Sequence, residues 1–159
     1  MKTVALMTSV IAVATIVVPA FAAQPAYLDD RSTAASLVRS FYNAVNRQEY
    51  ARAYTYFGNS APQPYATFAN GYANTAFVTV VTGAAVSDGA AGSIYFTLPV
   101  AIDALQSNGT HKQFAGCYVT RLVEPTIQDP PATPMFIYKA SLQVAHGNVH
   151  ALLPHCDTM

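Results

Sequence analysis

The chain has 159 residues, of which 52% are hydrophobic and 10% carry a charge, with eight Lys and Arg against eight Asp and Glu. A chain of this length forms one ordinary domain, and its balanced charge gives it no electrostatic reason to bind nucleic acid or an anionic lipid surface. Tyr and Phe are abundant for so few charges, so we expect aromatic surface to line a cavity or a partner interface.

The first segment has the layout of a cleavable secretory signal. An apolar run over residues 3–18 follows Lys2, and Ala20-Phe21-Ala22 offers the small residues of a peptidase site. The run is shorter than the roughly 20 apolar residues that span a bilayer, which favours cleavage over a retained membrane anchor. We therefore expect residues 1–22 to be removed and 23–159 to form one exported domain, in the periplasm of a Gram-negative bacterium or secreted. The mature chain would have seven Lys and Arg (8 − 1) against eight Asp and Glu, and we expect no membrane contact from it.

Helical periodicity begins soon after the predicted cleavage site. Apolar residues recur three and four positions apart from Arg31 to Asn46, which predicts an amphipathic helix capped by Asp29 or Asp30. The same spacing over residues 50–57 predicts a second, shorter helix, and residues 65–72 predict a third.

The chain from Asn74 onward is typical of strands. β-branched residues dominate its first part, and Ser87-Asp88-Gly89 indicates a turn. Residues 125–134 are rich in proline, which predicts a surface loop, and the alternation over residues 136–144 predicts a last long strand.

Asn108-Gly109 predicts a two-residue hairpin turn that places Ser107 opposite Thr110. In that register Arg121 shares a face with apolar residues such as Leu98, and Asp103 lies on the opposite face.

The segment from Leu37 to Tyr54, LVRSFYNAVNRQEYARAY, resembles the opening helices of the NTF2-like superfamily, which includes SnoaL-like and ketosteroid-isomerase-like proteins. The resemblance implies an α+β fold in which N-terminal helices pack in the concave face of a strongly curved, mostly antiparallel sheet. This cone has an open pocket. The resemblance also implies an exported bacterial member of the superfamily that forms a homodimer.

The resemblance further implies a pocket between the helices and the concave face of the sheet. We expect it to be lined by six aromatic residues and one arginine, namely Phe41, Tyr42, Tyr54, Phe57, Phe68, Tyr72 and Arg121. Such a lining suits a small apolar or aromatic ligand, with the arginine binding a carboxylate or phenolate. The alternatives are that the aromatic residues are ordinary core and that Arg121 faces solvent.

For catalysis, the resemblance implies Asp103 as a candidate base and Tyr42 as a candidate hydrogen-bond donor. No carboxylate lies between Glu49 and Asp88, and no histidine precedes His111, so the catalytic set is incomplete. We therefore expect a non-catalytic domain that binds a small apolar ligand or a protein partner. The alternatives are a SnoaL-like isomerase, cyclase or dehydratase, and an envelope assembly module that uses the convex sheet face.

Two cysteines, Cys117 and Cys156, predict a disulfide in an exported protein, the alternative being two buried thiols. The tail also holds His146, His150 and His155, whose spacing matches no metal-binding pattern. We expect neither a metal nor a cofactor.

Overall fold

A computed structural model describes residues 24–157, so the predicted signal over residues 1–22 lies outside the described residues. Helices precede strands, and the predicted α+β class is confirmed. The helices are α1 (Ala34–Asn46), α2 (Tyr50–Thr55) and α3 (Tyr65–Gly71), and the strands are β1 (Thr75–Thr82), β2 (Val86–Ala90), β3 (Ser93–Gln106), β4 (His111–Val123) and β5 (Phe136–Ala145).

Helix α1 begins later than the sequence predicts. Thr33 is its N-cap, because the Thr33 hydroxyl accepts a hydrogen bond from the Ser36 amide at 3.0 Å. The predicted caps Asp29 and Asp30 are wrong, since the Asp30 carboxylate instead accepts from the amide of Ser32 and forms a turn before the helix. The helix ends at Asn46 as predicted.

The strands form one antiparallel sheet in the order β1-β3-β4-β5. Strand β3 is long enough to have two partners on one side: its C-terminal half pairs with β1 and its N-terminal end pairs with β2. Strands β3 and β4 therefore form the centre of the sheet and provide most of its two faces.

The hairpin between β3 and β4 has a three-residue loop, and the predicted register is wrong by one residue. The Gln106 amide donates to the Thr110 carbonyl at 2.8 Å, and Gly109 has a φ of 83°. Only the last loop position, Gly109, is therefore left-handed. Asn108 is not, and its side chain accepts a hydrogen bond from the Thr110 amide. Ile102 consequently lies opposite Phe114, and Asp103 lies opposite Gln113.

This register divides β3 and β4 into two faces. Even-numbered residues form what we call the inner face, where Leu98, Val100 and Tyr118 belong to the same buried core as Leu37 and Phe41 of α1. Odd-numbered residues form the outer face. The three helices therefore cover the inner face.

One asparagine holds α1 against the sheet. The Asn46 side chain accepts from the Val78 amide at 2.7 Å and donates to the Val78 carbonyl at 2.8 Å. Both backbone groups of this β1 residue are thus satisfied by the last residue of the helix, which fixes the height of α1 above the sheet.

The C-terminal tail is tied to the outer face. Cys117 and Cys156 form the predicted disulfide, with Cα atoms 6.0 Å apart. The Gly147 amide donates to the Gln113 side chain at 2.9 Å, and the turn Val149–Ala151 contacts β3. Among residues 24–157, none of the helices has the length and apolar character that a membrane crossing requires.

Candidate functional site

A cavity of about 680 Å³ lies between the inner face and the helices. This volume is within the range of about 300 to 1,000 Å³ that is typical of small-molecule sites. Its strand side is formed by even-numbered residues of β3 and β4, such as Ile102, Ala104 and Phe114, and β5 adds Leu142. The helices supply the opposite wall.

The helix wall is aromatic and rigid. The Phe41 ring lies 5.4 Å from Phe57, and Phe68 lies 5.9 Å from Phe57 and 5.2 Å from Tyr72. All three contacts are edge-to-face, the arrangement that the charge distribution of aromatic rings favours. Ring faces and edges packed in this way offer a ligand a fixed apolar surface.

Two buried tyrosine hydroxyls meet in the cavity wall. Tyr42 of α1 and Tyr118 of β4 have hydroxyl oxygens 2.6 Å apart. One hydroxyl donates to the other, and neither makes another hydrogen bond within residues 24–157. The accepting hydroxyl therefore keeps a proton that a ligand oxygen can accept.

Burial keeps these hydroxyls neutral. It raises the pKa of Tyr118 far above its ordinary value and, together with the neighbouring Tyr118 and Tyr72, it also raises the pKa of Tyr42. Burial likewise raises the pKa of Tyr72 to about 12. The wall thus presents neutral phenols. These can donate a hydrogen bond to a carbonyl oxygen or to a weakly basic anion.

The charged residues that line the cavity are both cations. Lys112 and Lys139 contribute to its lining and are exposed, whereas no Asp or Glu is among the lining residues. The positive potential of these lysines favours a negatively charged ligand and disfavours a cationic one.

The structure brings five of the seven predicted pocket residues to the cavity: Phe41, Tyr42, Phe57, Phe68 and Tyr72. Tyr54 lies behind this wall, where its ring contacts Phe68 and its hydroxyl donates to the Gln63 carbonyl at 2.9 Å.

Arg121 is on the outer face, contrary to the face that the predicted hairpin gave it. Its Nε donates to the Ser93 hydroxyl at 3.0 Å, and its guanidinium lies 5.7 Å from the centre of the Tyr95 ring. The cause is the one-residue error in the register, because a shift by one residue moves every side chain of a strand to the other face.

Asp103 also lies on the outer face, away from Tyr42. Its carboxylate is 2.6 Å from His111 Nδ1 and accepts from Nε2 of the Gln113 side chain at 2.9 Å. The hydrogen bond with His111 lowers the pKa of Asp103, with a smaller contribution from Gln113, although burial acts in the opposite direction. The candidate base and the candidate donor therefore do not share the cavity.

Sequence reasoning missed Tyr118, Phe114 and Lys112 as cavity residues. All three are even-numbered residues of β4, so the correct register would have placed them on the inner face with Ile102. The sequence Asn108-Gly109 is compatible with two hairpin loops: a two-residue loop in which both residues are left-handed, and a three-residue loop in which only the glycine is. Considering the three-residue loop would have given the correct register.

Comparison of the chain with protein-family models, with characterised proteins and with solved structures finds no match. The resemblance of residues 37–54 to NTF2-like helices therefore stays a prediction. Across residues 24–157, no group of three or more His, Cys, Asp or Glu side chains is placed to hold a metal ion.

Proposed function

We propose that this protein is an exported NTF2-like domain that binds a small apolar or aromatic ligand in the cavity between its helices and its inner face. The observation that carries the proposal is the buried Tyr42–Tyr118 pair in the wall of an aromatic cavity of about 680 Å³. The cavity opens to solvent, so its apolar lining lacks packing partners that a bound ligand would supply.

The chemistry of the wall favours a particular kind of ligand. Phe41, Phe57 and Phe68 supply apolar surface, and the phenol pair supplies one free proton. A ring system or short chain that carries one acceptor oxygen satisfies both. This arrangement follows the usual design of small-molecule sites, in which a mostly apolar lining holds a few placed polar groups.

Binding without catalysis is favoured over the isomerase-like alternative. The candidate base Asp103 is hydrogen-bonded to His111 on the outer face, whereas the candidate donor Tyr42 lines the cavity on the other side of the sheet. A general base must reach the proton it removes, within about 2.6 to 3.2 Å or through one water.

Export is supported by the disulfide between Cys117 and Cys156. Disulfides persist in oxidising compartments and are rare in the cytoplasm. The cone shape and homodimer of NTF2-like proteins, and the alternative role as an envelope assembly module, remain predictions from the resemblance.

The test is a fluorescence titration with N-phenylnaphthylamine, a neutral aromatic probe. Ala104 lines the cavity, so Ala104→Phe should fill part of it and weaken binding by at least about tenfold. Val86→Phe is the matched control, because Val86 lies on β2, is exposed and does not line the cavity.

Binding should be retained in the Val86→Phe control. Equal affinity of all three proteins, or no binding by the wild type, would contradict the proposal. A thermal melt of each variant shows whether it is folded, and Ala140→Phe, at an exposed residue that also lines the cavity, provides a second filling variant if Ala104→Phe is not.

A further inference from the structure

A second, polar cavity adjoins the aromatic one. It has a volume of about 330 Å³ and shares two lining residues, Gln106 and Lys112, with the larger cavity. Its lining consists of uncharged hydrogen-bonding side chains and one lysine: Asn74, Gln106, Ser107, Asn108, Thr110 and Lys112. The two cavities are thus neighbours that differ in the kind of residue that lines them, aromatic in the larger and hydrogen-bonding in the smaller.

The polar cavity is built from the hairpin tip and the residue before β1. The Ser107 amide and hydroxyl both donate to the Asn74 carbonyl, at 2.8 and 3.2 Å. Asn108 accepts from the Thr110 amide and hydroxyl at 3.0 and 2.7 Å. These bonds hold the tip in place, so the cavity is pre-formed and does not need to be ordered by a ligand.

Gln106 sits where the two cavities meet. Only 9% of it is exposed, and its side-chain amide donates to the Ala104 carbonyl at 3.2 Å. This hydrogen bond fixes the amide plane at the boundary and leaves the second N–H of the amide for another acceptor.

Lys112 is the charged residue common to both cavities. Among residues 24–157 it takes part in no ion pair, and no Asp or Glu lines either cavity. An ammonium group has three donors and no acceptor, and its strongest partners are anionic oxygens. The polar cavity is therefore suited to a negatively charged group.

We propose that the two cavities form one bipartite site for an anionic amphiphile. The apolar body would occupy the aromatic cavity, and a carboxylate, sulfonate or phosphate head would lie in the polar cavity against Lys112, with Gln106 donating to it. The inference rests on the proposed function, because it names the class of ligand that the same site accepts.

The test compares two fluorescent probes that share an aromatic body. Anilinonaphthalene sulfonate carries an anionic group that N-phenylnaphthylamine lacks. The wild type should bind the sulfonate at least about tenfold more tightly at low salt, and the preference should shrink as salt screens the lysine.

Lys112→Met removes the charge and keeps most of the side-chain volume. Because Lys112 also contributes to the lining of the aromatic cavity, the readout is the ratio of the two affinities, and we expect the variant to lower the preference for the sulfonate over the neutral probe about tenfold. Lys139→Met is the matched control, since Lys139 lines the aromatic cavity but not the polar one. If Lys112→Met does not fold, Lys112→Gln serves in its place.

A second pair of probes tests the same point without an aromatic body. Dodecanoate should displace N-phenylnaphthylamine at lower concentration than dodecanol does, and Lys112→Met should abolish that difference. Tight binding of the neutral probes with no preference for either anion overturns this inference and leaves the proposed function standing. Failure of every probe to bind overturns both.

Discussion

The inner and outer faces of β3 and β4 are built from alternate residues of the same two strands, yet they differ in every property that bears on function. The inner face carries Ile102, Phe114 and Tyr118, lines a cavity and is covered by helices. The outer face carries Asp103 and Cys117, which are bound to neighbouring side chains and to the C-terminal tail.

Polar side chains occur on both faces, so they do not by themselves identify the candidate site. On the outer face, Asp103, His111 and Gln113 satisfy one another, and Gln113 also binds the tail through the Gly147 amide. On the inner face, the Tyr42–Tyr118 pair keeps a proton without an acceptor among the described residues. The inner face therefore differs from the outer face in having a hydroxyl proton without an acceptor in residues 24–157, beside an open cavity.

The largest effect should come from the outer face. Replacing both Cys117 and Cys156 by alanine opens a loop of 39 residues in sequence separation. The chain-entropy model predicts a loss of about 3 to 4 kcal/mol in the free energy of unfolding, measured by urea denaturation. Probe affinity of the folded variant should not change, and a weakened affinity would show that the tail supports the cavity.

The next largest effect should come from Gly116, an inner-face residue at which β4 and β5 approach closely. A Cβ atom there would overlap the Ser141 carbonyl oxygen and lie 2.9 Å from Leu142 Cα. Gly116→Ala should therefore cost about 1 to 3 kcal/mol of unfolding free energy, since overpacking forces backbone shifts.

Gly89→Ala is the control for that substitution, because a Cβ atom at Gly89 of β2 meets nothing within 4 Å. Urea denaturation of the two variants should give a clear loss for the first and little change for the second. Equal stability of both would mean that β5 is not held against β4 as the structure has it.

A smaller effect is expected for the tyrosine pair. Tyr118→Phe removes one hydroxyl and leaves the Tyr42 hydroxyl buried without its partner, at a cost of about 1 to 3 kcal/mol at neutral pH. Tyr95→Phe on the outer face is the control, because no hydrogen bond of the Tyr95 hydroxyl is found within residues 24–157.

The pair also predicts alkaline behaviour. Since the pKa values of Tyr42, Tyr72 and Tyr118 are raised in the folded state, their contribution to stability is full below the unfolded pKa of about 10 and is lost as pH rises toward their folded values. Burial and the hydrogen bond to Asp29 also raise the pKa of Tyr56 to about 12. Tyrosinate absorbance should therefore show these four phenols ionising last, together with unfolding. If all ten tyrosines ionised near the ordinary pKa while the protein stayed folded, the burial of Tyr42, Tyr72 and Tyr118 would be contradicted.

The smallest effect should come from Asp103→Asn. Its lowered pKa means that the carboxylate contributes stability above the unfolded pKa of about 3.9 and that this contribution is lost as pH falls through the folded pKa. The melting temperatures of wild type and variant should therefore differ slightly at neutral pH and converge in acid. Probe affinity should be the same for both, and a loss of affinity would place Asp103 in the site.

Local patterns predicted most of the elements, but the turn predicted at residues 87–89 is wrong, since these residues lie in β2. Long-range geometry was harder to predict. The spacing of Leu37 and Phe41 was sufficient for α1, and the two cysteines were sufficient for the disulfide. The Tyr42–Tyr118 pair joins residues 76 positions apart, so it depends on the strand register. That register depends on whether Asn108 is left-handed as well as Gly109, and only Gly109 is.

The central claim, that the inner-face cavity is the ligand site, is tested most directly by a crystal structure of the protein with bound N-phenylnaphthylamine. The account predicts electron density for the probe between the helices and the inner face, in contact with Phe68 and Tyr118. Density for the probe on the outer face beside Arg121, with the inner cavity filled by collapsed side chains, would contradict it.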